Sequence, residues 1–364
     1  GTGGWKDFNN LLVSGGTHAL AAGTTTVNGL LTNNATIAVG ANTLSFAGYS
    51  DTSDIVTVNG GVVTNTGAAS TISTLTVTGS ASINGGANGI TVTNVVSDGI
   101  TTTGAVTLRG TGITTLTVSS GTLTASGNIT TSGAVSNNGT IAVGANTLSF
   151  AGYSDTADIV TINGGVVTNT GAASTISTLT VTGSASINGG VNGITVTNAV
   201  SNAITTTGAV TLRGTGISTL TVSSGTLTAN GNITTSGAVS NNGTIAVGAN
   251  TFSFAGYSDT SDIVTVNGGV VTNTGAASTI STLTVTGSAS INGGVNGITV
   301  TNAVSNGITT TGAVTLRGTA ISTLTVSSGT LTANGNITTS GAVSNNGTIA
   351  VGANTLSFAG YSDT

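Results

Sequence analysis

The chain has 364 residues with only 4% charged side chains, no Pro, Cys or Met, 58 Gly and a net charge of −5. Four cations exclude the basic stripe that nucleic-acid binding needs, and the missing Cys excludes a disulfide framework and a thiolate zinc site. Mean hydropathy is +0.39, yet no run approaches the ~18 unbroken apolar residues of a membrane helix, so no membrane insertion is expected in this segment. Disorder is also excluded, because it favours the opposite balance of low hydrophobicity and high charge.

In chain order, residues 1–32 come first and are the least regular. They carry Trp5, Lys6 and His18, each the only residue of its type. Ala21, Gly23, Thr26, Gly29, Asn33 and Asn34 nevertheless match Ala125, Gly127, Thr130, Gly133, Asn137 and Asn138, each 104 positions later. The segment reads as a divergent coil that closes an end, or as the edge of a different upstream repeat.

Short β-prone runs then alternate with Gly, Asn and Ser: Thr36–Gly40 (TIAVG), Asn42–Gly48 (NTLSFAG), Ile55–Gly61 (IVTVNGG), Ser73–Gly79 (STLTVTG), Ser80–Gly86 (SASINGG), Gly89–Asn94 (GITVTN), Ala105–Gly110 (AVTLRG) and Gly121–Gly133 (GTLTASGNITTSG). Their alternation has period 2, as in Leu116-Thr117-Val118, the pattern of a strand with one buried face. Thr and Val are β-branched and favour strands; Gly and Asn supply positive-φ corners.

This text repeats almost unchanged. Tyr49, Tyr153, Tyr257 and Tyr361 are each 104 residues apart, as are Arg109, Arg213 and Arg317. The repeats span 33–136, 137–240 and 241–344, with 345–364 the start of a fourth. A 104-residue unit is also the size of an immunoglobulin-like sandwich, but that fold uses fewer, longer strands and larger buried aromatics. The expected fold is all-β: a parallel β-solenoid (β-helix) with about 21 residues per coil, hence about five coils per repeat. Its inward residues should include Ile37, Val39, Leu44, Phe46, Leu75, Val77, Ile90, Val92, Val106, Leu108, Leu116 and Val118.

Catalysis lacks an inventory. The single His18 and the absence of Cys and Glu leave little for general acid–base or nucleophilic chemistry, and no enzyme is expected. The strongest site candidate is Tyr49-Ser50-Asp51-Thr52-Ser53-Asp54, repeated with Asp155 and Asp158 and with Asp259 and Asp262. Paired carboxylates among hydroxyls could ligate Ca²⁺, which takes six to eight oxygens; the simpler reading is an Asx-type loop and no cofactor. Arg109 and its equivalents read as outward residues that blunt lateral sticking, or as partners of an Asp on another coil or chain. Thr91-x-Thr93, Thr115-x-Thr117 and Thr122-x-Thr124 raise a further reading, an ice-binding array.

The runs Thr74–Gly86 (TLTVTGSASINGG), Gly89–Asn94 and Gly121–Gly133 resemble those of bacterial β-strand-repeat surface proteins, the filamentous-haemagglutinin-like and autotransporter-passenger adhesins. The resemblance covers nearly the whole chain. It implies a right-handed parallel β-helix, export to the cell surface, and a role as a secreted structural fibre or as the stalk of an adhesin that meets a host or neighbouring-cell ligand. No RGD tripeptide is present. Gly1 in place of Met points to a processed product or a fragment. The stop at Thr364 inside a repeat leads to the expectation of a longer chain or end-to-end self-association.

Overall fold

The computed structural model describes residues 7–51, 55–155, 159–259 and 263–363. Within them the regular structure is entirely β, and the strands stack in parallel as a β-solenoid of about 18 turns. The chain divides into two compact units, Gly1–Thr180 and Val181–Thr364, each built of the same coil.

The coil is three-sided. Ala134–Asn137, Thr140–Gly144 and Thr147–Phe150 form the sides of one turn. Each pairs with its successor one turn on, Gly152–Asp155, Ile159–Ile162 and Val166–Asn169. Side chains alternate across each side, so a run such as Thr-Ile-Ala-Val-Gly buries Ile141 and Val143 and turns Ala142 outward. All twelve residues expected to point inward are buried, none more than 3% exposed. Four or five such side chains per turn make a narrow aliphatic core, and each contributes roughly 1.5–3 kcal/mol by leaving water.

Residues 7–32 join this stack rather than standing apart. Leu11–Val13 pairs with Leu31–Asn33, Thr17–Ala19 with Thr36–Ala38, and Thr24–Asn33 with Thr43–Asp51, all in parallel. Trp5 and Lys6 lie outside the described residues.

The coil is shorter than the sequence runs lead one to expect. Along one column the partners are Leu44, Val63, Ile83, Thr102, Val118, Asn137 and Asp155, and the chain advances between them by steps of 19, 20, 19, 16, 19 and 18. Corners explain the difference. At Thr93–Asn94 and Asp98–Gly99 two residues separate one buried run from the next, so the strand Ile90–Thr103 bends through two corners without a separate loop. Elsewhere the corner is longer. Gly40 adopts φ 58° and Asn42 N donates to Val39 O at 3.1 Å, closing a tight turn that only a residue free of Cβ enters without strain.

The shorter coil changes the relation between repeat and turn. Leu44 and Leu148 are equivalent in sequence, yet the column that starts at Leu44 arrives after six turns at Asp155, one side beyond Leu148. The second unit behaves alike. Gly214 leads through Ile233, Phe252, Val271, Ile291 and Thr310 to Val326, one side beyond its equivalent Gly318. A repeat therefore occupies five and two-thirds turns in place of five, and equivalent residues of successive repeats stand on different sides. At about 4.8 Å per turn a repeat advances about 27 Å along the stack, against about 24 Å for five turns.

Candidate functional sites

The Tyr-Ser-Asp segment is divided between core and corner. Tyr49, Tyr153 and Tyr257 are buried, 4–5% exposed, with their rings against Phe46, Phe150 and Phe254 at centroid distances of 5.2–5.3 Å. Their hydroxyls accept from Asn33 Nδ2, Asn137 Nδ2 and Asn241 Nδ2 at 2.8–2.9 Å. The tyrosine is thus a core residue with a polar handle, satisfied one turn back. Asp51, Asp155 and Asp259 end the strands that carry these tyrosines. Their side chains, and Asp54, Asp158 and Asp262 altogether, lie outside the described residues, as does the loop geometry on which Ca²⁺ binding depends. Among the described residues no group of three or more His, Cys, Asp or Glu converges.

His18 is exposed, with Nε2 2.6 Å from Gly15 O. It borders a hollow of about 330 Å³ lined by Phe8, Leu11, Val13, Ile37 and Leu44, which is the apolar core seen from its first turn. Thr17 and Thr25 are the hydroxyls on its wall.

Each arginine lies at a corner. Arg109 is exposed and its Nε donates to Thr93 O, one turn back, at 2.6 Å. Arg213 and Arg317 make the same bond to Thr197 O and Thr301 O. Forward of the arginine is a glycine. A Cβ on Gly127, Gly231 or Gly335 would stand 2.8 Å from the arginine Cδ, so these glycines let the side chain lie flat over the next turn. One residue on, Asn128, Asn232 and Asn336 accept the backbone N–H of Thr147, Thr251 and Thr355 through Oδ1 at 3.0–3.1 Å. In the third repeat these groups line a cleft of about 260 Å³: Asn302, Arg317, Gly318, Thr319, Gly335 and Asn336. Sequence spacing alone does not reveal this cleft, because its parts come from three successive turns and meet only once the length of the turn is known.

The Thr-x-Thr pairs stack in single file. Thr71, Thr91, Thr107 and Thr124 form one outward column, which Ala142 interrupts before Thr161. Thr122-x-Thr124 has Ala105-x-Thr107 on one side and Thr140-x-Ala142 on the other. A lattice match to ice needs ranks in two directions, and these hydroxyls repeat in one.

Chemically, the described surface offers a cleft lined by donors at Arg317, ladders of hydroxyls, and a core of aliphatic and Asn–Tyr contacts. No family model, curated protein or solved structure matches the chain.

Proposed function

We propose that this protein is a non-enzymatic structural element, a bacterial surface fibre or the stalk of a cell-surface adhesin, exported and exposed outside the cell. The observation that supports it is the parallel pairing of strands within each unit, turn upon turn, with buried aliphatic side chains in register. In such a stack the turns resist extension through rows of main-chain hydrogen bonds, and separating turns exposes the core to water. Near-identical repeats add length without new contacts, since each turn depends chiefly on its neighbours.

End-to-end association of copies into a fibre belongs to the same reading, because the edge of a parallel coil is a template for a further strand.

The test is stretching of single molecules by atomic force microscopy, with electron microscopy of the purified protein. High unfolding forces and filaments one solenoid wide are expected. A protein that stays in single, unassociated molecules and unravels at low force would overturn the structural reading.

A further inference from the structure

We propose that each repeat carries an oxyanion-binding cleft at its arginine corner, one that takes a carboxylate or sulfate group, either free or borne on an acidic polysaccharide. The guanidinium has five N–H donors. In Arg317 the Nε–H is held by Thr301 O, and among the described residues Arg317 makes no other hydrogen bond or ion pair, which leaves four donors on the two Nη atoms. The bond to Thr301 and the seat over Gly335 fix the plane of the fork in advance, so little freedom is lost when an anion arrives.

The asparagine completes the polarity. Asn336 Oδ1 is occupied by Thr355 N–H, so the free half of this amide is its NH₂ group. Arg317, Asn336 and Thr319 thus line one cleft with donors to spare, and no acidic side chain is part of the lining. The first two repeats keep the same parts in Arg109, Gly127 and Asn128, and in Arg213, Gly231 and Asn232. A planar fork with a flanking amide matches the two oxygens of a carboxylate or sulfate.

Display of the clefts follows from the five-and-two-thirds-turn repeat. Gly214 and Gly318, which follow Arg213 and Arg317, stand on different sides of the second unit. A short, stiff acidic oligomer lying along one side reaches one cleft and misses the next. Binding is therefore independent at each cleft, and lengthening the oligomer from four to eight sugars gives no gain in affinity per site.

The experiment uses the full chain labelled with ¹⁵N, following the arginine Nε–H resonances at low salt. Sodium sulfate, tetragalacturonate and the uncharged maltotetraose are titrated in turn. Three arginine signals are expected to shift and saturate with sulfate or tetragalacturonate and to ignore maltotetraose. A response to sulfate assigns a free oxyanion; a response to tetragalacturonate alone assigns a polymer-borne one. R317Q should remove one site and leave the other two signals as internal controls of folding. Gly335→Ala, which keeps the charge but unseats the fork, should weaken that site about tenfold. Arginine signals unmoved by either anion, or tetragalacturonate binding that survives unchanged in R109Q/R213Q/R317Q, overturns the proposal.

Discussion

Asn137 Nδ2 donates to the hydroxyl of Tyr153 at 2.9 Å, joining two buried residues on successive turns. Asn137 Oδ1 accepts the N–H of Gly139 at 3.2 Å, so the amide is engaged on both sides and also holds the corner that follows it. Tyr153 in turn uses its backbone N–H toward Ser174 Oγ at 3.0 Å, one turn further on. Three turns are thereby linked through polar contacts set in an otherwise aliphatic core.

Removing the tyrosine hydroxyl should cost more than the bond itself, because Asn137 Nδ2 is left buried and unsatisfied. Tyr153→Phe is expected to lower stability by about 1–3 kcal/mol, and Asn137→Ala by at least as much, since the Gly139 corner is also released. In a double-mutant cycle the two changes should be non-additive. Urea melts of the four proteins, followed by circular dichroism, make the measurement; strict additivity would show that the bond contributes nothing.

Ser97, Ser201 and Ser305 point a different way. Each has a buried Oγ with no hydrogen-bond partner among the described residues. Ser97 sits in the column between Val77 and Ile113, on the turn from which the chain takes its shortest step, 16 residues, to the next. A small residue fits there and a hydroxyl gains nothing. Ser305→Ala should therefore raise stability by about 1 kcal/mol, and S97A/S201A/S305A by more. A loss of stability in thermal melts would mean that the hydroxyl has a partner, such as a trapped water.

Much of this fold is legible in the sequence, and the reason is local. Leu116-Thr117-Val118 states its own inward and outward faces, because a strand has a period of two and needs no distant partner to set it. Tyr49 does not state its face. It lies beside Ser50 and Asp51, which read as loop, and its burial depends on Phe46 and on Asn33, a turn earlier. The length of the turn is hidden for a similar reason. Gly40–Thr43 and Thr93–Asn94 both look like punctuation, but one makes a wide corner and the other a two-residue bend. Without the turn length, Arg109 cannot be seated on Gly127, and its cleft cannot be drawn.

Gly189 tests the tightest approach between turns. A Cβ there would lie 1.7 Å from Ala209 O, and Gly85 and Gly293 meet Ala105 O and Ala313 O at the same distance. Backbone is the obstacle in each case, so no side chain can swing aside. Gly189→Ala should destabilise by about 3 kcal/mol or more and push neighbouring turns apart. Hydrogen exchange should show faster opening around Gly189 and Ala209 in the variant; unchanged protection would mean that the corner has more room than its geometry implies.

The reading of the Tyr-Ser-Asp corners as loops without a cofactor leads to a prediction about calcium. A cation bound at 100 times its dissociation constant adds about 2.7 kcal/mol per site, and three such sites would move the melting temperature by many degrees. Melting in the presence of a chelator should instead match melting in added CaCl₂. A chelator-induced drop would make Asp51, Asp54 and their equivalents a metal site, and Asp54→Asn should then abolish the difference.

The final prediction concerns the period along a fibre. If repeats were five turns long, every repeat would present the same side in the same direction, and an axial period of about 24 Å would follow. The registers give five and two-thirds turns instead, so the core should show a period of about 27 Å per repeat. A fibre that keeps this step throughout should present the same surface feature on the same side only after three repeats, about 82 Å, because three steps of one side complete the circuit. Fibre diffraction from aligned specimens should therefore give a meridional reflection at about 4.8 Å from the stacked strands and another at about 27 Å from the repeat. Gold particles attached to a cysteine introduced at Val191 and Val295, two corner residues 96% and 95% exposed and 104 positions apart, should mark different sides of the second unit. Labels that line up on one side, with a reflection at about 24 Å, would refute the register of the turns and with it the arrangement of the arginine clefts.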